Sequence, residues 1–239
     1  MSLNYNDDDS TIDYNSIIHG KKLKLNKLQL DSFWRIELKK CLEAVSPGFE
    51  IDCTNKVLIA ELYKYVWSFF CAKIRSDIFK PNKGILLYGP IGVGKTTLCK
   101  AIRMYFARIN AYTYGCNNKY CGLQYVSATE IAMLYADKGI DGIMKYVNRD
   151  LTGHLIIDEI GREGSSGLVK HYGTEINVLQ TVLQLRYELM DMFITIGTTN
   201  IDMTTNEFSD MYGPYVADRV REMFTICKVA GDNGKSRRK

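Results

Sequence analysis

Three short stretches of this 239-residue chain carry side chains that could do chemistry together. The first is Gly89-Pro90-Ile91-Gly92-Val93-Gly94-Lys95-Thr96, followed by Thr97, which fits G-x-x-x-x-G-K-[ST] at every defined position. Glycines let such a backbone turn tightly, so that successive N–H groups converge on one anion. The N-terminus of a following helix adds partial positive charge. In that setting Lys95 neutralises the β- and γ-phosphates of a nucleotide, Thr96 holds a magnesium ion, and Thr97 reaches the inner phosphates. The second stretch is Asp158-Glu159. Asp158 is suited to hold magnesium through its water shell as the acidic partner of Thr96, and Glu159 can take a proton from an attacking water. The third is Thr198-Thr199-Asn200, where the Asn200 amide offers both a donor and an acceptor. It can orient the same water, sense the γ-phosphate, or serve as a plain turn residue.

Each stretch needs a strand to aim it. Gly84–Tyr88 is a short apolar run that feeds the glycine loop, and Thr97–Phe106 carries a helical stripe at Leu98, Ile102, Tyr105 and Phe106. Leu155-Ile156-Ile157 leads into Asp158-Glu159, and Phe193–Gly197 leads into Thr198-Thr199-Asn200. With Leu123–Val126 and Phe224–Val229 these make five apolar strands alternating with helices. The expectation is an α/β fold with a five-stranded parallel sheet flanked by helices, its ligand crevice at the C-terminal strand ends. Ser127-Ala128-Thr129-Glu130 has the form of a capping box. A loop is expected over Gly161–Gly173 and an amphipathic helix over Glu175–Met190. Arg186 falls on that helix's stripe of Leu179, Val182, Leu183 and Met190, where a charge must find a partner. The stripe leaves open whether that partner is a carboxylate, a nucleotide or another subunit.

Residues 1–48 read as a separate extension, with a weakly ordered arm over 1–15 and a helical pattern from about Leu23 to Val45. A second helix is expected from Lys56 to about Arg75, and the main domain from 49 to 239. No uncharged apolar run reaches membrane-spanning length, and Asn4–Asp9 is polar and acidic, unlike a secretory signal. A cytoplasmic protein without membrane contact is expected. Seven scattered cysteines suit reduced thiols better than disulfides or a structural metal. The net charge of +4 is too small to signal nucleic-acid binding, although Lys21–Lys27 and Lys235–Lys239 are locally basic. No Asn-Lys-x-Asp run for guanine occurs.

Taken together, the three stretches resemble the Walker A, Walker B and sensor-1 elements of the AAA+ ATPases. The run Tyr212–Phe224, closing with Gly234-Lys235-Ser236-Arg237-Arg238, is similar to the C-terminal part of DnaC/DnaI-type helicase loaders and their IstB-type relatives. His171-Tyr172-Gly173, followed by the helix with Arg186-Tyr187-Glu188, resembles the same group. The likeness covers about residues 49–239. It implies ATP and Mg2+ as cofactors and a homo-oligomer in which a neighbour's arginine completes each site. Arg219 best matches that finger, with Arg221 as the alternative, and Arg238 or Arg237 matches a sensor-2-like arginine. Only residues 219–239 follow Asp218, too few for a full helical lid.

The resemblance implies an ATPase that delivers a replicative ring helicase to DNA. Two further readings are a transposase-assisting ATPase of the IstB type and a nucleotide-binding module with little hydrolysis. Single-stranded DNA is a possible partner, with Lys138, Lys145 and Arg149 as the basic residues nearest the expected contact region.

Overall fold

The computed structural model describes residues 12–18, 21–25, 27–69, 75–114, 122–163 and 167–230. Two antiparallel strands come first, β1 (Ile12–Ile18) and β2 (Lys21–Leu25). The arm expected over 1–15 therefore gives way to a strand from Ile12. Lys22-Leu23-Lys24-Leu25 alternates with the period of a strand, so helix α1 spans Lys27–Val45 and does not begin near Leu23. Helix α2 (Lys56–Ser68) precedes β3 (Gly84–Tyr88), α3 (Lys95–Tyr114) and β4 (Leu123–Ser127). The expected end of the second helix at 70–75 falls mostly outside the described residues.

Next come α4 (Ala128–Lys138), α5 (Ile140–Val147) and β5 (His154–Ile160). Half of the expected capping box is present: the Ser127 hydroxyl accepts the Glu130 N–H at 3.0 Å. The segment expected as a loop and the start of a helix is instead a hairpin, β6 (Leu168–His171) and β7 (Thr174–Asn177). Tyr172 (φ 42°) and Gly173 (φ 89°) form its two-residue turn, the left-handed geometry that tight hairpins require. Asn177 then caps α6 (Val178–Tyr187), accepting the Gln180 N–H at 3.0 Å. The chain continues through β8 (Thr195–Thr199), α7 (Glu207–Tyr212), α8 (Pro214–Met223) and β9 (Phe224–Lys228).

Five of these strands form one parallel sheet in the order β4-β5-β8-β3-β9. The central strands β3 and β8 are buried along their whole length, which is why they read as unbroken apolar or small-residue runs. One face of the sheet packs on α1, α2 and α3 through residues such as Leu42, Leu62, Ile85, Ile102 and Ile196. The other packs on α4 to α8 through Leu86, Ile131, Leu155, Leu179 and Val220. The architecture is thus the expected α/β sandwich, with the five strand tips at one edge. Helix α1 lies along α3, and its buried Glu37 accepts hydrogen bonds from Arg108 and Lys40, both at 2.6 Å. Among the described residues no helix is long and apolar enough to cross a membrane.

Arg186 has a different fate from any considered above. It is fully buried, and among the described residues no carboxylate pairs with it. Its guanidinium donates to Thr195 Oγ1 (2.9 Å), Thr152 Oγ1 (3.0 Å) and the carbonyls of Tyr146 (3.2 Å), Gly153 (3.0 Å) and Ile194 (3.0 Å). Five neutral acceptors replace the ion pair, and burial draws its pKa down to about 10. It ties α6 to β8 and to the chain between α5 and β5.

Candidate functional site

The glycine loop leaves β3 at Tyr88 and enters α3 at Lys95, so the first turn of a long helix points at the space above the sheet. Gly92 (φ 86°) and Gly94 (φ 97°) adopt backbone conformations that a side chain would strain. Lys95 is buried, and its ammonium donates to the carbonyls of Gly89 (2.6 Å) and Pro90 (2.8 Å) and to Asn200 Oδ1 (2.8 Å). One charge therefore clasps both arms of the loop and reaches the tip of β8.

The carboxylates sit where the β5–β8 ladder breaks. Ile157 pairs with Gly197 and Ile160 with Thr199, so Asp158 and Glu159 together face the single residue Thr198. This is a β-bulge, a device that re-aims side chains next to sites. Glu159 takes a left-handed φ of 60°, which is costly for a residue with a Cβ and is retained because its surroundings hold it. Thr198 does the holding: its hydroxyl accepts the Glu159 N–H at 2.8 Å and donates to Asp158 Oδ1 at 2.5 Å. Thr96 also donates to Asp158 Oδ1 (3.1 Å), and Tyr125 on β4 donates to Oδ2 (2.5 Å). Burial, reinforced by the Asp158 carboxylate, pushes the Tyr125 phenol well above its usual range, so it stays a donor. Asp158 is almost fully buried, whereas Glu159 opens toward solvent, with Oε1 3.0 Å from Arg162 Nη1.

These groups line a cleft of about 990 Å3, large enough for a nucleotide. Its floor is Gly92, Gly94, Lys95, Thr96, Thr97, Asp158, Glu159, Thr198 and Asn200. Its far wall is Ser46–Glu50 and Asp52, between α1 and α2, which the sequence did not single out. The donor set fits ATP and Mg2+: a helix N-terminus and a lysine for phosphate, a hydroxyl beside a carboxylate for a hard cation.

Not every expected residue meets here. Gly89, Pro90, Ile91 and Val93 complete the loop, as their positions require. Arg219 lies on α8, outside the cleft's lining. Its guanidinium stacks 4.0 Å from the Tyr215 ring centroid and 4.6 Å from that of Tyr187, with Nη1 3.4 Å from Glu188 Oε1. Arg221 is exposed on the same helix, and its carbonyl accepts from Lys83 at 3.4 Å. Arg238 and Arg237 lie outside the described residues. Besides the wall at Ser46–Glu50 and Asp52, the sequence reading missed Tyr125, Thr198 as the bridge at the bulge, and Arg162. No sequence signal marked Tyr125: only the register of β4 beside β5, which pairs Ser127 with Asp158, brings it within reach. The loop after the bulge is anchored as well. Glu163 is buried, accepts the Gly161 N–H at 3.0 Å, and receives a hydrogen bond from Tyr212 on α7.

The profile of the family described as "ATPase family associated with various cellular activities (AAA)" matches residues 85–228. Among curated proteins, the 26S proteasome subunit RPT4 of Saccharomyces cerevisiae is 31% identical over 129 residues, 53% of this chain and 26% of that protein. The chain spans only about a quarter to two fifths of the length of the curated relatives it matches first. Among solved structures, that of DnaI superposes with a TM-score of 0.52 at 21% identity, covering 84% of this chain and 93% of DnaI. That of the DnaC helicase loader gives 0.51 at 15% identity, covering 78% and 96%. At these identities the two structures establish a shared fold.

Proposed function

The chain belongs to the AAA family of ATPases, and from that premise we propose that it is a Mg2+-dependent ATPase that works as an oligomeric switch, loading a replicative ring helicase onto DNA. The observation that carries the hydrolytic part is the bulge at Asp158-Glu159, which turns one carboxylate toward Thr96 and the other toward the open cleft. The loader part rests on the fold shared with DnaI and the DnaC helicase loader and on the C-terminal arginine run.

Bound magnesium supplies positive charge to the β- and γ-phosphoryl oxygens, and Thr96 and Asp158 are the residues that would hold it. The loop N–H groups and Lys95 hold the phosphates. Glu159 takes the proton of the attacking water, while Asn200, already linked to Lys95, orients that water. Arg162 must release Glu159 for this to occur. In an assembly, Arg219 of a neighbouring copy would exchange Glu188 for the γ-phosphoryl, where an arginine is worth about 10³-fold or more in rate. The extension over 1–48 stays packed on the ATPase unit of 49–239 through α1, which lies along α3, and Ser46–Gly48 lets it bear on the cleft. Lys138, Lys145 and Arg149 are exposed on or beside α4 and α5 and would contact single-stranded DNA.

Mixing the chain with a ring helicase encoded beside it tests this reading. Complex formation and ATP-dependent transfer of the helicase to single-stranded DNA are expected, and no association with or without ATP would refute it. DNA binding that weakens with salt, and weakens further when the three basic residues become Ala, is the companion expectation. One observation favours a second reading, an ATP-gated module with little turnover: the Glu159–Arg162 ion pair occupies the group that hydrolysis needs.

A further inference from the structure

Asp158 presents a problem that its motif does not solve. The terminal torsion of an aspartate is soft and broad, so nothing within the side chain fixes which oxygen faces Thr96. Both threonine hydroxyls act on Oδ1, from Thr96 at 3.1 Å and from Thr198 at 2.5 Å. Once Thr96 turns to a cation, Thr198 alone would hold that side, and the carboxylate could swing about it. The opposite oxygen is held by a residue outside all three motifs. Tyr125 donates to Oδ2 at 2.5 Å, in the short range of a hydrogen bond to an ionised acceptor.

The Tyr125 ring is itself fixed. It stands on β4, next to β5 in the sheet, with Tyr125 opposite Ile156. From α3, the Lys100 ammonium lies 5.5 Å and the Arg103 guanidinium 5.9 Å from its centroid, and Arg103 Nε also donates to the Leu123 carbonyl on β4 at 3.2 Å. The hydroxyl is thus delivered by a ring that α3 and β4 grip together, and it opens on the cleft.

We propose that Tyr125 is a positioning residue for cation binding: its phenol hydroxyl locks the Asp158 carboxylate so that Oδ1 stays turned to the Thr96 side when the Mg2+-nucleotide complex forms. The proposal rests on the reading of the cleft as a Mg2+-nucleotide site. It assigns Tyr125 no contact with the nucleotide and no part in proton transfer. Its effect should therefore appear in metal dependence and leave metal-free nucleotide binding alone.

The test is a Mg2+ titration of the binding of a fluorescent, non-hydrolysable ATP analogue by the full chain and by Tyr125→Phe, which keeps the ring and its cation contacts. The half-saturating Mg2+ concentration is expected to rise about tenfold, the usual scale for removing a hydrogen-bonding partner of a metal ligand. Affinity in EDTA should stay within about twofold, and Thr198→Val should shift the titration in the same direction. An unchanged half-saturating Mg2+ concentration in Tyr125→Phe overturns the proposal. So does a parallel loss of affinity in EDTA, which would mark a merely structural role. Because the readout is binding, a native chain that binds the Mg2+-nucleotide complex without ever turning ATP over would refute the hydrolytic reading alone, and the same titration would still decide the role of Tyr125.

Discussion

Two arginines, Arg186 on α6 and Arg219 on α8, show how differently one side chain type is used in adjoining parts of the molecule. Arg186 is fully buried and spends its guanidinium on two hydroxyls and three carbonyls, none of them charged. Arg219 is 24% exposed, lies between two tyrosine rings, and has one carboxylate at 3.4 Å from a glutamate side chain that is itself 63% exposed. The first cannot leave without orphaning buried acceptors. The second is pre-oriented by ring faces that do not saturate its donors, and its ion pair is weak enough to exchange. Burial without a counter-charge marks architecture, whereas partial burial with an exchangeable partner marks a group that can act on something else.

The largest expected effect is on Arg186. Arg186→Met should cost about 3–5 kcal/mol and leave little folded protein at 37 °C, because the acceptors it satisfies become buried and unpaired. Arg186→Lys should rescue only part of this, since three donors cannot serve five acceptors. Thermal melts of both variants check the claim, and near-native melting of Arg186→Met would erase the contrast.

Arg219→Ala should do the opposite. Stability should change by about 1 kcal/mol or less, while ATP turnover at concentrations that permit assembly should fall by about 10³-fold or more. Equal loss of stability and turnover would place Arg219 beside Arg186 as a structural group. A smaller effect is expected from Glu188→Gln, which frees the guanidinium from its intramolecular carboxylate. Turnover should reach its half-maximum at a chain concentration lower by about two- to fivefold, an ion pair of about 0.5–1 kcal/mol no longer having to break. The concentration dependence of turnover measures this.

The effect that is smallest at neutral pH, and grows only on acidification, runs through His154 beside Arg186. Burial, then the Arg186 charge, pulls the imidazole down to about 4, and its Nδ1 accepts the Ile194 N–H at 3.1 Å. The rings of Phe69, Phe106 and Phe193 surround it. A depressed histidine is neutral in the folded state, so the unfolded chain binds the extra proton between about pH 6.5 and 4. Its contribution is complete above pH 6.5 and lost as pH falls toward 4, on the order of 3 kcal/mol in all. Denaturant titrations across that window should show the slope, and His154→Asn, which keeps an acceptor at the Nδ1 position, should flatten it.

How much of this the sequence revealed follows from where each group's partners lie. Gly89–Thr97, Asp158, Glu159 and Asn200 were legible because each sits at the end of a contiguous apolar run whose direction aims it. Tyr125, Thr198 and Arg162 act across strands or turns, and a tyrosine or threonine in a strand looks the same whether or not its hydroxyl meets a carboxylate. Arg186 announced its burial by falling on an apolar stripe, but backbone carbonyls leave no trace in the sequence, so its partners could not be read. The hairpin at Leu168–Asn177 was hidden because its strands are half-exposed and too short to show a clear period. Its turn, Tyr172-Gly173, lacks the Asn-Gly or Asp-Gly that usually marks one.

The account stands most directly on Glu159. Steady-state ATP turnover should be measured for the native chain and Glu159→Gln, with nucleotide affinity recorded in parallel. The account predicts Mg2+-dependent turnover in the native chain, a fall of about 10²–10⁴-fold in the variant, and unchanged affinity. Equal turnover in the two would contradict it.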